Sequence, residues 1–269
     1  MTIAHISDIH FGRIKQPGIV EHLVEEINAA GVDLVAVSGD LTMRARPHEF
    51  RSAVEMLDAL QPPVLVVPGN HDVYPWWRPY RRLRHPLGRY RTHVTADLLQ
   101  TFKEKGLAVL GINSAHGRTM KGGRIGPLER ATIRSFFQEQ EPDVFKVLVV
   151  HHHLTLIQAL APHDVARKAQ KTLEVASSVG VDLVLCGHLH VSHIEPLELA
   201  PGRHRMVIVS AGTATSSRGR GRHAQTNLYN LIRISPESFE IEERIYEPEA
   251  GRFVKHDETL FSRIYEMQD

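Results

Sequence analysis

Five short polar clusters in the sequence carry side chains that bind transition metals or move protons. Asp8-Ile9-His10 sets a carboxylate and an imidazole two residues apart, and on an extended strand alternate residues point to the same side, so both could reach one ion. Gly39-Asp40 leaves a carboxylate after a residue that lets the backbone turn sharply. Gly69-Asn70-His71-Asp72 offers an amide oxygen, an imidazole and a carboxylate in consecutive positions. His151-His152-His153 lines up three imidazoles that are costly to bury without partners, and Gly187-His188-Leu189-His190 places two more at alternate positions. Mixed nitrogen and oxygen donors without thiolate suit Mn, Fe, Zn or Co, and sequence does not choose among them. The chain holds 18 histidines and a single cysteine, Cys186, which lies inside an apolar run and is expected to be a small core residue.

The framework that must hold these clusters together is α/β. Short runs rich in Val, Ile or Leu at 3–7, 33–38, 64–67, 108–112, 146–150, 182–186 and 206–210 predict buried strands. Between them, apolar periodicity with Pro starts and Gly or Pro stops predicts helices at 19–30, 47–60, 128–138 and 165–179. From residue 192 onwards, segments 192–199, 205–210, 226–234 and 238–246 predict antiparallel sheet. Each polar cluster follows a predicted strand, and in an α/β fold the carboxyl ends of strands share one edge. Gly31-Val32-Asp33-Leu34-Val35 recurs as Gly180-Val181-Asp182-Leu183-Val184, so two related halves could each deliver a ligand to that edge. One domain over 1–269 is expected, with an insertion at about 74–92 and a β-rich tail from about 225.

Composition removes several function classes. Lys and Arg number 32 against 31 acidic residues, a net charge of +1 that gives no general attraction to nucleic acid or anionic membrane. One cysteine excludes an intramolecular disulfide framework and any multi-cysteine zinc or iron-sulfur site. No signal-peptide core or bilayer-length apolar run is visible, so a cytoplasmic protein is expected.

In series, Asp8-x-His10, Gly39-Asp40, Gly69-Asn70-His71-Asp72, His151-His152 and Gly187-His188-x-His190 resemble the five signature motifs of the calcineurin-like metallophosphoesterases. The resemblance spans residues 3 to about 215 and implies a four-layer αββα sandwich of two mixed β-sheets flanked by helices. It also implies two divalent or trivalent transition-metal ions, Mn, Fe or Zn. One would be held by Asp8, His10 and His190, the other by Asn70, His151 and His188, with Asp40 bridging. His71 would contact the phosphoryl group or protonate the leaving oxygen, with Asp72 orienting it. Many relatives carry His-His-Pro where this chain has three histidines; ungapped alignment makes His151 the ligand, with His152 the alternative. Two carboxylates against roughly four positive charges leave a net positive site for an anionic phosphoryl group, with metal-activated hydroxide as the attacking species.

The motifs look most like the bacterial branch containing class III cyclic nucleotide phosphodiesterases, which makes a small phosphodiester, cyclic nucleotides first, the expected substrate. Arg13, Arg44, Arg46, Arg118, Lys121 and Arg124 follow the motifs closely enough to supply phosphate-binding charge. The insertion holds both tryptophans and six arginines, fitting an active-site lid, a homo-oligomer contact or membrane contact, with nucleic acid not expected. A Gly-Arg loop at 213–223 resembles one rimming the pocket in relatives. The alternatives are a membrane-surface pyrophosphatase resembling the UDP-diacylglucosamine hydrolases, and a scaffold that keeps metals without catalysis.

Overall fold

The computed structural model describes residues 1–158, 160, 164–201 and 204–263. Along the chain run β1 (Thr2–Ile6), α1 (Ile19–Ala29), β2 (Leu34–Val37), α2 (Pro47–Asp58) and β3 (Val64–Val66), then the short helices α3 (Pro79–Arg84) and α4 (Gly88–His93). Next come β4 (Gln100–Glu104), β5 (Leu107–Gly111), α5 (Pro127–Gln138), β6 (Phe145–Val149), α6 (Ala169–Ser178), β7 (Leu183–Cys186), β8 (His193–Leu197) and β9 (Met206–Ser210). Three strands follow: β10 (Leu228–Ile234), β11 (Ser238–Glu247) and β12 (Arg252–Ser262).

The strands form two six-stranded mixed sheets, ordered β12-β11-β10-β1-β2-β3 and β4-β5-β6-β7-β9-β8. In the first, β1, β2 and β3 are parallel and β10 pairs antiparallel with β1. In the second, β5, β6, β7 and β9 are parallel, with β4 and β8 antiparallel at the edges. Parallel strands buried on both faces need apolar residues at every position, and β2, β5, β6, β7 and β9 are buried throughout. Ile3, Leu34 and Leu65 of the first sheet meet Val109, Val147 and Leu185 of the second in a central core. On the outer faces, Ile19, Leu23 and Ile27 of α1 and Phe50 of α2 cover the first sheet, while Ile133 and Phe137 of α5 and Leu173 of α6 cover the second. The result is the expected four-layer αββα sandwich.

The helix and strand ends follow local chemistry. Pro47 opens α2, and Glu49 Oε2 accepts the backbone N–H groups of Arg46 at 3.1 Å and Arg44 at 2.8 Å. α6 starts at Ala169 rather than 165, because Lys168 sits at φ 69° and the Ala166 N–H is taken by the carbonyl of His153. β4 and β12 have no counterpart in the sequence reading; both are charged edge strands lacking a continuous apolar face. Among the described residues, no helix is long and apolar enough to cross a membrane.

Candidate metal centre

Asp8 follows β1, Asp40 follows β2, Asn70 follows β3, His151 follows β6 and His188 follows β7, so both sheets deliver candidate ligands at carboxyl ends of parallel strands. The two halves of the internal echo become β2 and β7, one in each sheet. The sheets touch here: the backbone N–H of His188 donates to Asp8 Oδ2 at 2.8 Å, and Ser7 Oγ donates to the same oxygen at 2.7 Å. Close approach explains two of the glycines. A Cβ at Gly187 would fall 1.8 Å from Ser7 Oγ, and one at Gly69 would fall 2.1 Å from Asp40 Oδ1.

The loops after these strands are not extended. Asp8, His10, Asp40, His188 and His190 have φ between 53° and 72°, and they are five of the seven non-glycine residues at positive φ among those described. Such left-handed geometry at a non-glycine residue is uncommon and costs of order 1 kcal/mol or more, so it persists where surrounding contacts impose it. The expectation that Asp8 with His10, and His188 with His190, meet through strand alternation is therefore corrected. Each pair converges through paired left-handed turns, while Ile9 and Leu189 between them are buried.

One group of donors comprises Asp8, His10, Asp40 and His190, all buried, with their ligand atoms within 4.8 Å of one another. His190 Nε2 lies 2.9 Å from Asp8 Oδ1 and 3.1 Å from His10 Nε2; His10 Nε2 lies 3.5 Å from Asp8 Oδ1 and 3.7 Å from Asp40 Oδ2. Nδ1 of His10 faces the carbonyl of Thr42 at 3.2 Å and Nδ1 of His190 that of Arg218 at 2.8 Å. A carbonyl only accepts, so each Nδ1 carries the hydrogen and, in the neutral ring, each Nε2 turns a lone pair inward. Asp8 Oδ1 is buried with no hydrogen-bond partner. Acceptors facing acceptors at these spacings fit a cation, since ligands about 2.0–2.2 Å from one ion stand about 3.0–3.5 Å apart. The electrostatics agree: although burial opposes it, Asp8 raises the pKa of His190, and although burial would raise Asp8, His190 and His10 hold it well below the usual range.

The second group centres on His151. Its Nδ1 faces the carbonyl of Ser38 at 2.7 Å, and its Nε2 meets Asn70 Oδ1 at 3.2 Å and Asp40 Oδ1 at 3.5 Å. Asp40 thus presents one oxygen to each group. Burial would raise its carboxyl, yet His151, His71 and His10 hold it at about 2. The His188 ring centroid is 5.2 Å from that of His151, and burial with His151 beside it pushes its pKa down to about 3, which keeps it neutral as metal binding requires. His152 also lies within 4.8 Å of ligand atoms of His151 and His188. Its Nδ1 is engaged by Ser114 Oγ at 2.8 Å, and its buried Nε2 has no hydrogen-bond partner. His153 turns to Ser210 Oγ at 2.9 Å. The donor chemistry fits two transition-metal ions: Asp8, His10, Asp40 and His190 could hold one, and His151 and His188, with Asn70 or His152, a second.

His71 and Asp72 divide differently from the expectation. Asp72 does not hold the His71 ring: its oxygens accept from Leu41 N, Thr42 N, Thr42 Oγ1 and Gly69 N at 2.9–3.2 Å, lacing together the loops after β2 and β3. Burial, with Asp40 beside it, pushes the Asp72 carboxyl up to about 7. The ring is instead oriented by Met43, whose carbonyl accepts from Nδ1 at 2.8 Å, leaving Nε2 facing Arg218 Nη1 at 3.0 Å. Burial pushes the pKa of His71 down to about 4.

A cavity of about 310 Å³ opens at the centre, its lining including Asp40, Asn70, His71, His188 and His190 together with Lys121, Arg218, Arg220 and Asp164. Of the six cations singled out in sequence, Lys121 alone lines it; Arg44 lies over the Trp77 ring at 5.5 Å, and Arg13 donates to Ser217 Oγ at 3.3 Å. Arg218 was visible only as part of the Gly-Arg loop, and no local pattern marks it out from Arg220.

Known proteins resemble the chain in sequence and fold. The calcineurin-like phosphoesterase profile matches residues 1–192. An uncharacterized metallophosphoesterase of Helicobacter pylori is 26% identical over 207 residues, 74% of this chain and 47% of that protein, so the chain spans about half the length of this curated relative. The glycerophosphodiester phosphodiesterase GpdQ of Enterobacter lignolyticus is 39% identical over 82 residues, covering 27% of this chain and 30% of that protein. The 3′,5′-cyclic adenosine monophosphate phosphodiesterase CpdA of Haemophilus influenzae is 23% identical over 160 residues, 59% of this chain and 54% of its own. In fold, yellow lupin purple acid phosphatase PPD1 superposes with a TM-score of 0.69 at 13% identity, covering 98% of this chain and 54% of that one. With the profile spanning all five motifs and the two sheets bringing them to one edge, this chain belongs to the calcineurin-like phosphoesterase family.

Proposed function

We propose that this chain is a binuclear-metal-dependent phosphodiesterase acting on small soluble diesters, with cyclic nucleotides the leading substrates. The observation that carries this reading is the pair of donor groups sharing Asp40 at a cavity whose lining includes Lys121, Arg218 and Arg220. Bound there, two metal ions would supply Lewis-acid activation of water and of the phosphoryl oxygens. The protein's own residues do the rest. Arg218 is placed to take a phosphoryl oxygen, because a guanidinium matches phosphate geometry and His71 Nε2 and Met43 Sδ, at 3.0 and 3.3 Å, fix its Nη1. His71, neutral and anchored through Nδ1, accepts from Arg218 at Nε2 and so aims the guanidinium at the phosphoryl group. A diester rather than a monoester is supported by the names of the two phosphodiesterase relatives and by lining cations from two separate loops, Lys121 on one and Arg218 with Arg220 on the other.

The test is hydrolysis of bis(p-nitrophenyl) phosphate beside p-nitrophenyl phosphate by metal-stripped protein reloaded with Mn, with metal counted in parallel. About two ions per chain and faster diester cleavage are expected, and Arg218→Ala should raise KM for the diester about tenfold or more. Monoester cleavage alone would overturn the diester reading. Two bound ions with neither substrate cleaved would shift the reading to lipid-linked pyrophosphates or to a non-catalytic scaffold.

A further inference from the structure

Between Val73 and Ala96 the chain has six arginines and no acidic residue, so the remainder of a chain of net charge +1 carries −5. This segment also leaves large apolar side chains in solvent. Trp76 is 64% exposed, Trp77 45%, Tyr80 75% and Leu83 63%; they are four of the nine large hydrophobics exposed among the described residues. Met120, 59% exposed, adds a fifth beside them, because Arg82 ties the segment to the residue before it.

The display is rigidly mounted. Arg82 is buried and donates to the carbonyls of Tyr74 at 2.5 Å, Gly117 at 2.9 Å and Thr119 at 2.5 Å. Arg89 donates to the carbonyl of Ala45 at 2.7 Å and lies over the Tyr74 ring at 5.0 Å. With two arginines bound inward, Arg78, Arg81 and Arg84 remain exposed among the aromatics. The patch adjoins the centre: Arg44 stacks on Trp77, and the carbonyl of Met43, one residue earlier, orients His71.

We propose that residues 74–84, with Met120, form a docking surface for anionic phospholipid membranes. Tryptophan and tyrosine settle at the headgroup level, where an apolar ring and a polar edge are both satisfied, and arginines among them bind lipid phosphates. The charge of the segment complements an anionic leaflet. Leu83 and Met120 favour hydrocarbon over nucleic acid, since an aliphatic side chain has no base-stacking role. The surface acts independently of the hydrolytic reading.

Both tryptophans of the chain lie in this patch, so intrinsic emission reports on it alone. The experiment is Trp fluorescence and co-sedimentation of the full chain with phosphatidylcholine vesicles, with and without phosphatidylglycerol. A blue shift and sedimentation with phosphatidylglycerol vesicles, weakened by salt, are expected. Replacing Arg78, Arg81 and Arg84 together by Ala should lower partitioning about 100-fold, on the basis of about fivefold per arginine at an anionic surface. Leu83→Glu should also weaken binding while leaving hydrolysis of a soluble diester unchanged. No shift with anionic vesicles overturns the proposal, whatever the variants do. So does a shift produced by a single-stranded oligonucleotide but not by vesicles, or one produced by protein concentration alone, which would make the patch a contact between copies.

Discussion

Four imidazoles at the centre share one device. His10, His71, His151 and His190 each set Nδ1 against a backbone carbonyl, of Thr42, Met43, Ser38 and Arg218 respectively, which fixes the ring and turns Nε2 inward. A second contact of this kind raises ligand basicity and removes the wrong tautomer before an ion arrives. His152 is built otherwise, against a serine hydroxyl that also accepts its own backbone N–H at 3.3 Å. The two neighbours therefore separate on substitution. His151→Ala should release about one of two metals per chain, whereas His152→Ala, which disturbs the neighbouring rings and not the Asp40 and Asn70 contacts, should weaken metal affinity by roughly 10- to 100-fold at most. Metal counted after dialysis decides between them, and greater loss from His152→Ala would make it the ligand.

At the scale of elements, precision comes from strand ends held too close for side chains. The backbone of Gly69 lies against Asp40, so Gly69→Ala drives a Cβ into the carboxylate shared by the two donor groups. Overpacking of this kind costs about 1–3 kcal/mol. Because Val64–Val66 pairs with β2 away from the contact, metal binding should fail before the fold does. Far-UV circular dichroism unchanged with metal content lowered is the expected result; unchanged metal content would show that Asp40 moves freely. Most of this arrangement was legible beforehand. The apolar runs located every central strand, and the polar clusters behind them located the donors, because buried parallel strands leave unmistakable apolar runs. Edge strands β4 and β12 escaped because their pattern is weak, and α6 started late because a left-handed lysine carries no sequence mark. The role of Asp72 and the pairing of Arg218 with His71 depend on loops brought together from distant parts of the chain, which spacing does not encode.

At the scale of the whole molecule, a buried histidine outside the donor groups contributes to the response to acid. His5 lies in β1, in register with Ala36 of β2 and Asn230 of β10, at the middle of the first sheet. Its Nε2 lies 2.9 Å from Ser38 Oγ and its Nδ1 3.5 Å from Asn230 Nδ2, which only donates, so the ring is neutral with its hydrogen on Nε2. Burial pushes its pKa from 6.5 down to about 3, against a weaker opposing pull from Asp8. The sign follows directly: below 6.5 the unfolded chain takes up a proton that the folded chain refuses until about 3, so stability is lost as pH falls through that window. One such group contributes a slope of up to about 1.4 kcal/mol per pH unit. His188 adds to the acid sensitivity, and only a difference measurement isolates His5. His5→Asn should lower stability near neutrality, by about 1–3 kcal/mol for the altered buried hydrogen bonds, yet flatten the decline towards acid. Urea unfolding of both proteins across the window should therefore give curves that converge as pH falls. Parallel curves would mean that His5 is protonated in the folded sheet, and that the acid limit of the molecule is set at the metal centre instead.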